Sequence, residues 1–137
     1  MRHSHLDFIE PVRITCFDDA LPLADIAKEM PHATLLVMLL SADGVLRDTL
    51  QFAKGGRRPV ETVEFVCRYL EDEDASVLVA TSRGAVSALL RREEDLRAWR
   101  AMAKVVEKAG LQLLDWFIVG GGWMFVPSEL SDVPGGW

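Results

Sequence analysis

Hydrophobic and polar positions along this chain change their period several times, and each change marks an element. Val12, Ile14 and Cys16 alternate with polar neighbours, a period of two that predicts a short half-buried strand. Asp18 or Asp19 can cap a following helix that runs to about Lys28, because Pro31 bars its continuation. The run ATLLVMLLSADG is apolar until Asp43-Gly44, the strongest short hairpin signal in the chain, and predicts two antiparallel strands. The return strand, about Val45 to Ala53, stops at Gly55 and Gly56, and Pro59 then stands where a first-turn proline favours a helix. Val63, Val66 and Leu70 mark the buried face of that helix, and the acidic stretch Glu71 to Asp74 ends it in solvent.

Ser76 to Ala80 (SVLVA) reads as a strand apolar on both faces, as in a parallel or mixed sheet, with Thr81 to Gly84 as a loop. From about Glu93 to Ala109 the period is helical. Leu96, Trp99, Ala103 and Val106 form one stripe, and Arg97, Arg100, Lys104 and Lys108 form another, with Gly110 as a C-terminal cap. LQLLDWFIV, the triple glycine Gly120 to Gly122, and WMFVP predict a second hairpin, and the final SDVPGGW a mobile tail. The whole is an α/β or α+β domain: a mixed sheet of about six strands flanked by about three helices.

Composition changes this picture little. Half of the 137 residues are hydrophobic and 26% are charged, enough for one domain to bury a core and far from the signature of disorder. The net charge of -6 disfavours non-specific binding to phosphate backbones and leaves only a local basic patch for that role. The start, MRHSHLDFIEP, lacks the apolar core of a signal peptide, and the longest apolar run, Leu35 to Leu40, is far shorter than a membrane span. A cytoplasmic protein with no membrane partner is expected. Cys16 and Cys67 belong to no CxxC or Cys/His cluster and are expected as buried thiols rather than ligands or a disulfide.

Three stretches in one order, LLVMLLSADGVLRDTLQFAKGG, SVLVATSRG and LRAWRAMAKVVEKAGLQLLDWFIVGGGWMFVP, resemble the RadC branch of the JAB/MPN domains. The closing piece carries most of the likeness: Gly110, then Leu113-Leu114-Asp115-Trp116, then Val119-Gly120-Gly121-Gly122-Trp123. The resemblance covers residues 33–127 and implies a single JAB/MPN-like (cytidine-deaminase-like) domain. Residues 1–32 would lead into it as a strand and helix, and 128–137 would follow as a tail.

Active members of that family hold zinc through two His one residue apart after the central strand and an Asp on the next helix. A Glu on an earlier strand takes the proton of the metal-bound water. The resemblance puts the His positions on Thr81 and Arg83, the Asp on Asp95 with Glu94 beside it, and the Glu on or next to Thr49; the Ser that usually precedes the Asp falls on Arg92. A threonine hydroxyl is a poor zinc ligand, and a guanidinium keeps its proton and has no lone pair to offer. Asp48 would face the other way from Thr49 unless a slip or bulge intervened. The resemblance therefore implies the family's fold without its cofactor or hydrolase chemistry. Arg83 would either put its cation at the vacant metal position, paired with Asp95 or Glu94, or point into solvent.

The remaining constellations are weaker. His3 and His5 form an HxH pair in a polar arm with no positioned carboxylate, and His32 beside Pro31 reads as a loop residue. The three glycines precede aromatic residues rather than a helix, so a turn is expected there and not a phosphate loop. Arg97, Arg100, Lys104 and Lys108 could touch nucleic acid, but such a row is usually the wet face of a helix. Trp137, on its Gly-Gly tether, either docks on a partner subunit or a neighbouring groove or is disordered.

The leading expectation is a non-catalytic module whose partner is another protein or a second copy. The rivals are a zinc metallohydrolase rebuilt from Asp95, Glu94, Asp48 and an N-terminal His, and a nucleic-acid-associated protein linked to DNA repair.

Overall fold

The fold follows from a central strand pair that is buried along nearly all of its length. In the computed structural model, which describes residues 12–30, 35–52, 58–70, 75–84 and 92–137, the strands β1 (Leu35–Leu40) and β3 (Val77–Arg83) lie side by side in the middle of a five-stranded sheet. Every residue of β1 is buried, so both of its faces must be covered by other elements.

The sheet order is β2-β1-β3-β4-β5, with β2 at Leu46–Phe52, β4 at Gln112–Gly120 and β5 at Trp123–Phe125. β3 and β4 pair in parallel, and every other neighbouring pair is antiparallel. A parallel pair needs a crossover, and α3 (Arg92–Lys108) supplies it.

Alternation along the strands divides the core. Leu35, Val37, Leu39, Leu78, Ala80, Trp116 and Ile118 meet α2 (Pro59–Tyr69) and α3 through Val63, Val66, Trp99, Met102 and Val106. Met38, Leu40, Val77, Val79, Phe117 and Val119 meet α1 (Phe17–Ala24) and the 3-10 turn Asp25–Glu29 through Ala20, Ala24 and Ala27. The small residues let this segment lie close on the sheet. The result is a three-layer α/β/α arrangement, and among the described residues no helix is long and apolar enough to cross a membrane.

Several expectations need correction. The sheet has five strands among the described residues rather than about six: Val12–Cys16 contributes only the Arg13–Val45 bridge before α1 begins at Phe17. The first helix is α only to Ala24 and then tightens to a 3-10 turn, where the Ala24 carbonyl is engaged by Thr81 Oγ1. Its N-terminal cap position is Cys16; Asp19 sits inside the first turn and reaches back to the Thr15 N–H at 3.0 Å. Cys67 is buried, with its thiol pKa pushed up by burial and the nearby Glu64, whereas Cys16 is exposed.

The hairpin at Asp43-Gly44 forms as expected, with Gly44 at φ +87° and its carbonyl accepting from the Ile14 N–H at 2.8 Å. A Cβ there would stand 2.6 Å from the Ile14 carbonyl oxygen. Gly44→Ala is therefore expected to cost about 1–3 kcal/mol, measured by chemical denaturation, from left-handed strain and that contact together.

Candidate functional site

β3 continues through Thr81, Ser82 and Arg83, residues expected to form a loop, because both neighbours go on pairing there. Thr81 and Ser82 face Leu36 and Leu35 of β1, and all three residues face Phe117 to Val119 of β4. Parity then decides the side chains. Ser82 lies on the α3 face, where its hydroxyl accepts from Trp116 Nε1 at 2.8 Å. Thr81 and Arg83 fall on the α1 face. Thr81 is fully buried and donates to the Ala24 carbonyl at 3.2 Å, and Arg83 Nη1 donates to the Lys28 carbonyl. The Lys28 carbonyl stands in the last turn of the segment, where carbonyls carry partial negative charge, so a guanidinium suits it. Among the described residues the buried Nε of Arg83 has no hydrogen-bond partner.

The other family-derived positions stand apart from this pair. Thr49 lies opposite Met38 and so shares the α1 face, but it is two strands from Thr81, on the order of 10 Å at about 4.8 Å per strand. The β1–β2 pairing does shift register, with Leu39 facing Asp48 and Leu40 facing Leu46; the extra residue is Arg47, which leaves Asp48 and Thr49 on opposite faces. Glu94 and Asp95 stand in the first turn of α3, whose buried side packs on the other face of the sheet, and Arg83 meets a backbone carbonyl rather than either expected alternative, a carboxylate or solvent. Carboxylates there suit the positive end of that helix. Among the described residues no three His, Cys, Asp or Glu side chains gather as a metal site would need. His3, His5 and His32 lie outside the described residues.

The most unusual polar group is one that appears in the sequence only as part of the Leu-Leu-Asp landmark. Asp115 is 2% exposed and sits in a strand whose other buried side chains are all apolar. The β3–β4 register shifts between Leu78 and Val79, so that Leu114 is the bulged residue and Asp115 pairs with Val79. The bulge turns Asp115 toward the α1 side. There its Oδ1 accepts from Ser128 Oγ at 2.7 Å and from the Trp116 N–H at 3.1 Å, and its Oδ2 accepts from Trp137 Nε1 at 2.8 Å. Burial raises its pKa above the ordinary aspartate range, against the lowering pull of Ser128, Trp137 and Trp116. The available signal was a lone carboxylate inside LLDWFIV, since a buried charge must be given partners.

The tail expected to be mobile is tied to this carboxylate. Trp99 Nε1 donates to the Val133 carbonyl at 2.8 Å on the α3 side, the Gly136 N–H donates to the Leu114 carbonyl at 2.8 Å, and Trp137 reaches Phe17 on the α1 side, ring centroids 6.3 Å apart. The tail thus wraps the edge of β4. A Cβ on Gly135 would lie 2.6 Å from the Leu114 oxygen and one on Gly136 2.7 Å from that of Leu113, so only glycines pass this closely. Of the alternatives for Trp137, the structure shows packing within its own chain, on Asp115 and Phe17. With both of its carboxylate oxygens engaged, Asp115 serves as an anchor for the tail.

The basic stripe of α3 is exposed as expected, and part of it is neutralised: Arg97 lies 3.9 Å from Glu93, and Arg100 pairs with Asp132 of the tail. Compared with known protein families, curated proteins and solved structures, the chain matches none.

Proposed function

We propose that this chain is a non-catalytic, RadC-like JAB/MPN-type domain, cytoplasmic, that works as a protein-binding or self-associating module. One observation carries the reading. The two residues at the positions where the resemblance puts zinc-binding imidazoles, Thr81 and Arg83, each hold a backbone carbonyl of the α1–3-10 segment. Side chains that fasten a helical segment to the sheet are committed to the fold, and neither type offers a divalent cation a strong ligand. The mixed α/β sheet with helices on both faces supports the fold part of the reading.

Protein purified without chelators is expected to carry zinc well below one equivalent per chain and to cleave neither peptide nor isopeptide substrates. One tightly held zinc per chain together with peptidase activity would overturn the reading in favour of a rebuilt hydrolase.

A further inference from the structure

A groove of about 480 Å³ opens between α1 and the segment after β5. Its walls are apolar, from Phe17 and Leu21 on one side and Met124 and Leu130 on the other. Leu130 is 59% exposed, the most exposed large hydrophobic among the described residues, and Met124 is also exposed. The patch continues past Phe17 to the exposed ring of Trp137. Exposed apolar side chains gathered at one groove offer a place where another protein surface can settle.

The same groove is lined by one cation and one anion, Arg92 and Glu129. The Arg92 guanidinium lies 5.4 Å above the ring centroid of Phe125, and among the described residues neither Arg92 nor Glu129 has an ion-pair partner. A hollow, a knob beside it, and an unpaired charge of each sign make a self-complementary set. In a two-fold pairing each residue i meets residue j of the other copy and the reverse, so one surface can satisfy both.

Resting on the self-association reading above, we propose that this groove is a homodimer interface. The occupant is a second copy of the chain, whose Leu130 enters the hollow between Phe17, Leu21 and Met124 while Arg92 of each copy meets Glu129 of the other. Each contact is then made twice, once from either copy, and every one of these charges and knobs has a counterpart.

Sedimentation equilibrium of the full chain tests this, using Arg92→Glu, Glu129→Arg and Leu130→Ser variants shown by circular dichroism and thermal melting to fold like the wild type. The wild type is expected to dimerise, and each variant alone to dimerise at least about tenfold more weakly, since like charges now meet at both contacts or the knob is gone. Mixing Arg92→Glu with Glu129→Arg protein is expected to restore a dimer of wild-type strength, because both contacts in that pair are again of opposite sign. A wild-type dimer indifferent to all three substitutions, or no recovery on mixing, overturns the groove assignment and leaves self-association standing through another surface. A wild type that stays monomeric to its solubility limit overturns the assignment too; the zinc and peptidase measurements then decide the wider reading on their own.

Discussion

Trp99→Ala is expected to lower the unfolding free energy by about 3–5 kcal/mol, the usual range for emptying a large buried aromatic site. Whole domains are stable by only about 5–15 kcal/mol, so this one change should remove a large share of the total and lower the melting temperature by several degrees or more. Trp99 is fully buried between α3 and the sheet, and its indole N–H holds the Val133 carbonyl of the tail. Trp99→Phe separates the two contributions, because the ring stays while the donor goes. That variant should lose roughly 1–2 kcal/mol, combining an unmade hydrogen bond with a modest void. Urea denaturation followed by far-ultraviolet circular dichroism measures both. Equal losses for Ala and Phe would mean that the hydrogen bond, rather than packing, carries the position.

Asp115→Ala should loosen the tail and cost about 1–3 kcal/mol, because it strips the acceptor from Ser128, Trp116 and Trp137 at once. Hydrogen exchange should rise at Gly136 and Trp137 before it rises in the central strands, as the local part of the structure opens first. The pH dependence has a definite sign. Burial raises the pKa of Asp115 in the folded state, so on acidification the folded protein takes up this proton before the unfolded chain does. Its contribution to stability is therefore fully present below the ordinary aspartate pKa and is lost as pH rises through the raised value. Asp19 and Asp43 behave oppositely: the Thr15 N–H and the Ser41 hydroxyl, respectively, hold their pKa values down, and their contributions fade as pH falls. The informative quantity is thus the stability of the wild type minus that of Asp115→Asn, in which those groups cancel. It should increase as pH drops from neutral through the Asp115 titration, and a difference flat across that window would show that the carboxyl is not desolvated as described.

Much of the architecture was legible before any coordinates. Asp43-Gly44 marked a hairpin that forms with Gly44 left-handed, Pro59 opens α2, and Gly110 closes α3 at φ +76°. Ser76 to Ala80 was legible as a strand covered on both sides, and the helical stripe from Leu96 to Val106 as a buried face. These features depend on periodicity and on local backbone preference, which a sequence displays directly.

Other features depend on residues far apart in the chain. The first segment had the alternation of a strand, yet it pairs only through Arg13 before α1 takes over. Thr81 to Arg83 looked like a loop and became strand because β1 and β4 extend beside them. The family-derived positions could be placed by order alone, but which side of the sheet each would occupy could not.

By itself, then, the amino-acid order determined which elements form and roughly where they begin and end, since turns, caps and apolar periods are local matters. Only the tertiary structure decided where Asp115 points, because a single bulged residue at Leu114 reverses facing downstream of it, and no local pattern announces a bulge. It alone decided that Arg83 meets the Lys28 carbonyl and that Trp137 closes on Asp115, contacts across 55 and 22 residues. Such partners are selected by the free energy of burying a charge or an indole with its hydrogen bonds made, a quantity that exists only once the layers have come together.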